Sequence, residues 1–318
     1  MNAYFPTGIE QAIQGAIILL VEILFGFAIQ KNQNKTRVVM AWGLTTIGVF
    51  AMFLITLDQP PGFRMIVLIL ALLYGMKAVV ATHQMTNGNA LNFVQWIAYT
   101  VGWFGMRPMV FKKMGQGRIA GTGRLIRKGA LRIILGFLLI LGARFFWADV
   151  NDGMPGILKI PVALLLLMPG LSLVLHFGLF NVMAGFWRWI GVPVGNLFNA
   201  PFKARTLAEF WGRRWNIAFT EMTTLAIFRP LKARFGETIA RTGAFVFSGL
   251  AHELAISVPV NAGYGLPTTY FGIQAVAMAY EKNWKRAGRI WTAVWVLLPL
   301  PLLFHPAFIM EIILPLIK

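Results

Sequence analysis

The chain has 318 residues, 58% of them hydrophobic and 13% charged, with a formal net charge of +18 and no cysteine. Soluble domains are nearer ~45–50% apolar and ~25% charged, so a soluble fold is excluded. The missing cysteine also removes disulfides, thiolate metal sites and a cysteine nucleophile. In a soluble protein the positive charge would suggest nucleic acid. At a mean hydropathy of +0.68 it reads instead as basic loops gathered on one face of a bilayer, with membrane lipids as partners and no nucleic acid.

The apolar residues fall into blocks at 9–29, 38–57, 64–82, 131–148, 157–182, 239–258, 268–281 and 290–304, with one more stretch at 306–317. About 20 apolar residues cross a hydrocarbon core of ~30 Å as a helix. No other open structure satisfies its backbone in lipid. The first block has no basic lead-in and no small-residue cleavage site, so it reads as a span rather than a signal peptide. Residues 91–105 are apolar and aromatic but short, and read as re-entrant or interfacial. The expected fold is an all-α integral membrane protein with about eight to nine transmembrane helices, a single domain over 1–318. Pro161, Pro169, Pro299 and Pro301 sit inside these blocks, where neighbours or a cavity can satisfy a freed carbonyl.

Loop charges alternate. Lys31, Lys35 and Arg37 precede a loop with only Asp58 and Arg64. Residues 105–132 carry Arg107, Lys112, Lys113, Arg118, Arg124, Arg127, Lys128 and Arg132 and no acid. An acidic loop with Asp149 and Asp152 follows, then a basic stretch at 187–241, an uncharged one at 259–268, and Lys282, Lys285, Arg286 and Arg289. Basic loops face the cytoplasm, so 105–132 and 187–238 are expected there. The expected setting is a multi-pass integral membrane protein. A compact chain without extra domains favours a bacterial inner membrane, with an endoplasmic reticulum membrane as the alternative.

Chemistry concentrates in two stretches. In Asn199–Asn216, Thr206 and Glu209 form a T-x-x-E capping box, which predicts a helix from about Leu207. Glu209 and Arg213 are one turn apart and able to pair. Trp211 and Trp215 would share a side, and Asn216 would fall in the third turn. Trp, Arg and apolar residues together suit an amphipathic interfacial helix, but that does not explain a polar Asn216 leading into Ile217, Ala218 and Phe219. In 244–259, His252 and Glu253 lie inside an apolar span, with Ser248 one turn before His252. Ionisable residues in a span are costly and point to function. His83 and His305 lie at span ends and read as interfacial. No HxxxH, HExxH or paired-carboxylate spacing suggests a metal. Gly115-Gln116-Gly117 with Gly121-Thr122-Gly123 lacks a preceding strand, and reads as a flexible basic loop rather than a nucleotide cradle.

These stretches reach a family. Leu207-Ala208-Glu209-Phe210-Trp211-Gly212-Arg213-Arg214-Trp215-Asn216 resembles the S-L-x-D-F-W-G-R-R-W-N signature of the wax synthase branch of the membrane-bound O-acyltransferases. Ser248-Gly249-Leu250-Ala251-His252-Glu253-Leu254 is similar to that branch's S-G-L-x-H-E-L segment. Gly263-Tyr264-Gly265-Leu266-Pro267-Thr268 with Tyr270-Phe271 and Gln274, and His176-Phe177-Gly178 with Trp187-Arg188, also resemble it. The resemblance covers about 170–280. Ala208-Glu209 departs conservatively at the cap, and Thr220-Glu221-Met222 departs after Asn216, which bears on substrate identity more than on reaction type.

The resemblance implies a chamber in which a long-chain acyl group passes from acyl-CoA, the donor substrate, to the hydroxyl of a lipophilic alcohol, with no bound cofactor. It makes His252 the catalytic histidine and Asn216 the second active-site residue. Arg213, Arg214, Trp211, Trp215, Ser248, Glu253, Gln274 and His176 are expected around the substrates. The chemistry fits independently: neutral imidazole can take an alcohol proton near pH 7, and an amide can donate to a thioester oxygen. The acceptor could equally be a sterol, a diacylglycerol or another hydroxylated lipid. A separate class is a proton-coupled transporter relaying through His252 and Glu253, though the inverted repeats of such proteins are not visible.

Overall fold

In a computed structural model of the chain, residues 3–34, 36–85, 89–148, 155–281 and 288–318 are described. All regular structure among them is helical. In chain order the helices are α1 (Ile9–Lys31), α2 (Arg37–Ile55), α3 (Pro61–Gln84), α4 (Phe93–Thr100), α5 (Thr122–Ala148), α6 (Gly156–Ser172), α7 (Phe180–Trp189), α8 (Leu207–Glu209), α9 (Ile217–Thr223), α10 (Arg229–His252), α11 (Val258–Val260), α12 (Leu266–Glu281), α13 (Arg289–Leu297), α14 (Leu300–Leu303) and α15 (Pro306–Phe308). The expected loops at Asp149 and Asp152 and at Lys282, Lys285 and Arg286 lie outside the described residues.

Among the described residues six helical segments are long and apolar enough to cross a membrane. They are α1, α2, α3, α5, Leu158–Trp189 and Ile217–Val260. Arg289–Leu303 and Pro306–Leu316, bent by 73° at their junction, form one more if the pair is a broken span. The hydropathy reading of eight to nine is therefore not reached. The block at 268–281 is α12, whose 16 residues extend only ~24 Å at 1.5 Å per residue, short of a ~30 Å core. The protein is an integral membrane protein of several apolar helices. On α5, Leu131, Ile134, Phe137, Leu138, Leu141 and Phe145 are exposed, a face suited to lipid rather than water.

The chain clusters into two compact units, Met1–Lys112 with Ala200–Ile313, and Lys113–Asn199 with Leu314–Lys318. In the second, α5 runs along α6 and α7, which join through a π-helical turn at Leu173–Leu179. Glycines allow close approach: a Cβ on Gly136 would sit 2.7 Å from the Gly170 carbonyl, and one on Gly129 2.8 Å from that of Gly178. Small residues at such crossings let membrane helices pack where no hydrophobic drive exists.

In the first unit α3 is the central helix. Its apolar window is 67% buried, against 22% for α1 and for α2. Met52, Val67, Leu68 and Ala71 form its core, packed by Leu254 and Val258 from the C-terminal part of the chain. The 91–105 stretch holds only α4, whose eight residues reach ~12 Å and cannot cross. Asn92 and Gln95 cap it reciprocally. Trp96 Nε1 donates to the Ile23 carbonyl at 2.9 Å, and the Gln30 amide exchanges two hydrogen bonds with the Leu91 backbone at 2.9 Å each.

Ile217–Val260 is 44 residues long and is not one straight rod. Gly236 has φ 81°, a left-handed value that glycine adopts freely. The chain folds back there, since a Cβ on Gly243 would meet Leu231 Cδ1 at 2.5 Å and Phe219 packs on Phe247 at 6.4 Å. The result is a helical hairpin with arms at 217–235 and 237–260. The sequence reading treats 187–238 as a loop and sees only the second arm. The first arm is interrupted by Glu221, Arg229, Lys232 and Arg234, which lower its hydropathy.

Candidate active site

A cavity of about 530 Å³ lies within the first unit, between the hairpin arms, α12 and the 206–216 segment. That segment is not the regular helix the capping box predicts. Thr206 Oγ1 accepts from Glu209 N–H at 3.0 Å, but the Glu209 carboxylate reaches Arg205 N–H (2.8 Å) rather than its own cap. This backbone bond, then the Arg214 guanidinium, holds the Glu209 carboxyl below its ordinary range. After α8 the chain makes a π-helical turn, Phe210–Arg214, and ends. Glu209 pairs with Arg214 at 2.6 Å, not with Arg213. Trp215 stacks on Phe210 (5.7 Å, 11°), while Trp211 meets Phe210 edge-on (4.9 Å) and also packs on Phe271 (5.6 Å). Both still line the cavity.

Asn216 begins α9 instead of ending a helix. Its φ is 42°, and its Oδ1 accepts from Phe219 N–H at 3.2 Å. Asn tolerates this left-handed conformation, where a Cβ residue without a local partner is strained. Thr220 fixes it further, its N–H donating to the Asn216 carbonyl (3.1 Å) and its hydroxyl to that of Trp211 (2.6 Å). With Oδ1 committed, the Asn216 Nδ2 hydrogens are the polar part of the side chain left for the cavity.

His252 closes α10 on the opposite arm. Its Nδ1 lies 2.7 Å from the Ser248 carbonyl. A carbonyl only accepts, so this geometry assigns the proton to Nδ1 and leaves the Nε2 lone pair free, the tautomer a general base needs. Phe271 at 4.4 Å and Phe219 at 5.7 Å hold the ring. Ser248 also lines the cavity, with its hydroxyl donating to the Ala244 carbonyl at 2.8 Å. A base and an amide donor thus face one largely apolar cavity.

Residues 194–271 match the Membrane bound O-acyl transferase family. The matched segment is about a quarter of the chain. It is similar to Probable long-chain-alcohol O-fatty-acyltransferase 1 of Arabidopsis thaliana, 29% identical over 37% of this chain and 36% of the relative. Acyl-CoA–sterol O-acyltransferase 1 of Arabidopsis thaliana is 38% identical over 18% of this chain and 19% of its own length. Long-chain-alcohol O-fatty-acyltransferase of Simmondsia chinensis is 29% identical over 31% of this chain and 30% of its own. The chain thus spans about a third or less of the length of these relatives. Two of the three are named as acting on long-chain alcohols and one as acting on sterols.

The expected site residues separate. His252, Asn216, Trp211, Trp215 and Ser248 line the cavity. Gln274 stands behind it, accepting from Trp211 Nε1 at 3.1 Å and donating to the Trp295 carbonyl at 2.6 Å. Arg214 is tied to Glu209 and to the Ala200 carbonyl, and Arg213 is exposed without an ion pair among the described residues. His176 lies in the other unit, where its Nδ1 is 3.1 Å from Ser172 Oγ and its ring 4.5 Å from Phe198. His305, read as interfacial, is 1% exposed and packs against Gly263.

Sequence reading passed over Phe219, Thr220 and Glu281. The Glu281 carboxylate lines the cavity and accepts from Leu207 N–H (2.8 Å) and Ala208 N–H (3.3 Å), clasping the 206–216 segment to α12. A lone acid ending the apolar 268–281 block was its one available signal.

Glu253 points away from the cavity. Its Oε1 accepts from Gly265 N–H (3.0 Å), Thr268 N–H (3.0 Å) and Thr268 Oγ1 (2.9 Å), capping α12. Glu253→Ala should therefore cost roughly 2–3 kcal/mol of stability. Glu253→Gln keeps an acceptor oxygen, and its melting temperature and turnover should stay near wild type. A proton relay through Glu253 would show the reverse, with Gln folded but inactive.

Proposed function

We propose that this protein is a membrane O-acyltransferase that moves a fatty acyl group from acyl-CoA to the hydroxyl of a lipophilic alcohol, giving an ester. The observation that carries the reading is His252, its Nδ1 bound to the Ser248 carbonyl and its Nε2 left to the cavity that Asn216 shares. Nε2 takes the alcohol proton as the alcohol oxygen attacks the thioester carbon. The Asn216 amide donates to the oxygen on which charge develops. The C–S bond then breaks, and the imidazolium returns the proton to the leaving thiolate. A largely apolar lining disfavours water beside the thioester once both substrates fill the cavity.

The cavity suits extended chains. It follows the hairpin from Phe219 and His252 to Phe228 and Arg241, a helical rise of roughly 13 Å. Arg241 lines the cavity beside the charged tip of the hairpin, where it pairs with Glu237. A sterol acceptor is a second reading, favoured by the similarity to a relative named as acting on sterols. Acyl-CoA entry from the cytoplasmic face is supported by the basic residues of 105–132.

Purified protein with labelled acyl-CoA and a long-chain alcohol or a sterol is the direct test. Ester and free coenzyme A should appear together. Uptake without thiol release would indicate a transporter and overturn the reading.

The two arginines should now behave differently. Arg213→Ala, at an exposed position, should raise KM for acyl-CoA roughly tenfold by loss of one charge-assisted contact, with an unchanged melting temperature. Arg214→Ala breaks the Glu209 and Ala200 links and should lower the melting temperature. An unchanged KM in a well-folded Arg213→Ala protein removes Arg213 from donor binding.

A further inference from the structure

We propose that Glu221 is a positioning residue for Asn216, acting through its ion pair with Arg107; this rests on the catalytic reading above. Asn216 caps the first turn of the hairpin arm that runs from 217 to 235, so its aim depends on what holds that first turn in place. Thr220 supplies the contact on the cavity side. On the other side Glu221 Oε1 lies 2.5 Å from Arg107 Nε, and the Met106 N–H also reaches its carboxylate.

Met106 and Arg107 end the turn that follows α4, and Lys77 gathers that turn. Lys77 is fully buried, 0% exposed. Its Nζ donates to the carbonyls of Tyr99 (2.8 Å), Trp103 (2.6 Å) and Gly105 (2.7 Å). Three carbonyls solvate an ammonium without neutralising it, and a buried charge needs a counter-charge. Glu221 lies near enough to act electrostatically on Lys77, although the two form no direct ion pair. One carboxylate thus joins the helix carrying Asn216 to a turn pinned on α3, the central helix of the unit. The Glu221 side chain is 17% exposed and that of Arg107 65%, so the link can be cut from its outer end without opening the core. Thr220-Glu221-Met222 is also where this chain departs from the wax synthase pattern after Asn216, so the link belongs to the part of the chain that sets it apart.

The test is kinetics on Glu221→Gln and Arg107→Ala, alone and combined with Asn216→Ala, using acyl-CoA and a long-chain alcohol. Each single change should lower kcat roughly tenfold, because small displacements of a catalytic group are costly, with KM nearly unchanged. Arg107→Lys should restore most of the loss. In the Asn216→Ala background neither change should cost more than about twofold, because the group being aimed is gone. Equal losses in both backgrounds would mean a general structural role and overturn the proposal, as would unchanged kcat in folded single variants. Should Glu221→Gln fail to fold, Arg107→Ala carries the test from the exposed side. A wild-type protein inert with every acyl-CoA and alcohol overturns the acyltransferase reading and this inference with it. An active wild type with additive losses overturns this inference alone.

Discussion

His252→Ala is expected to lower ester formation by about 10²–10⁴-fold, the usual cost of removing a general base. The loss should lie at the upper end, because a largely apolar lining offers few groups able to take the proton instead. The protein should still insert, since His252 ends α10 and its side chain makes one hydrogen bond, to its own helix. Acyl-CoA binding should persist. The contrast is His176→Ala. His176 sits in the second unit, with its ring among Phe180 and Phe198, and its loss should cost far less turnover. A dead His176 variant beside an active His252 variant would mean that the wrong histidine carries the chemistry. Activity in both would sink the base mechanism. Ser248→Ala is a useful neighbour, because the bond to His252 comes from the Ser248 carbonyl and not its hydroxyl, so the tautomer should survive.

The legible part of this protein was whatever its chemistry states locally. α1, α2, α3 and α5 each carry a long apolar block, and lipid permits such blocks no structure but helix. His252 stood out as a titratable group inside such a block, next to a family-like motif. What was hidden depends on partners distant in sequence. Glu253 looked like half of a relay because the groups that occupy it, Gly265 and Thr268, lie a loop away. The capping box at Thr206 and Glu209 was read correctly as a helix start, but nothing local announced a π-helical turn ending at Arg214. That turn moved the ion pair from Arg213 to Arg214 and put Asn216 at the start of the next helix. The first hairpin arm was mistaken for loop because its charges serve the site and its neighbours: Glu221 meets Arg107, and Lys232 meets Glu237 near the reversal. Lys77 carried a signal that went unused. One lysine in an otherwise apolar span is expensive, and its three carbonyl partners show what makes it tolerable.

Asn216 has two jobs, and three substitutions separate them. Asn216→Ala loses the cap, worth ~1 kcal/mol, and places a Cβ residue in a left-handed conformation at ~1–2 kcal/mol. It also loses the amide donor, which by analogy with an oxyanion-hole deletion costs about 10²–10³-fold in turnover. Because instability and lost chemistry arrive together, this variant alone proves little. Asn216→Gly keeps the backbone conformation without strain and removes the donor, so its melting temperature should recover towards wild type while its turnover stays as low as that of the alanine variant. Asn216→Asp keeps the acceptor that Phe219 N–H uses, and a negative charge at a helix start is favourable, so it should be at least as stable as wild type. Ionised Asp has no proton to donate and would repel a developing oxyanion, so its turnover should fall at least as far as that of the glycine variant. Near-normal turnover in Asn216→Asp would reduce Asn216 to a cap and remove the amide from the mechanism. A fall shared by the aspartate and glycine variants, with their melting temperatures intact, assigns the loss to the Nδ2 hydrogens.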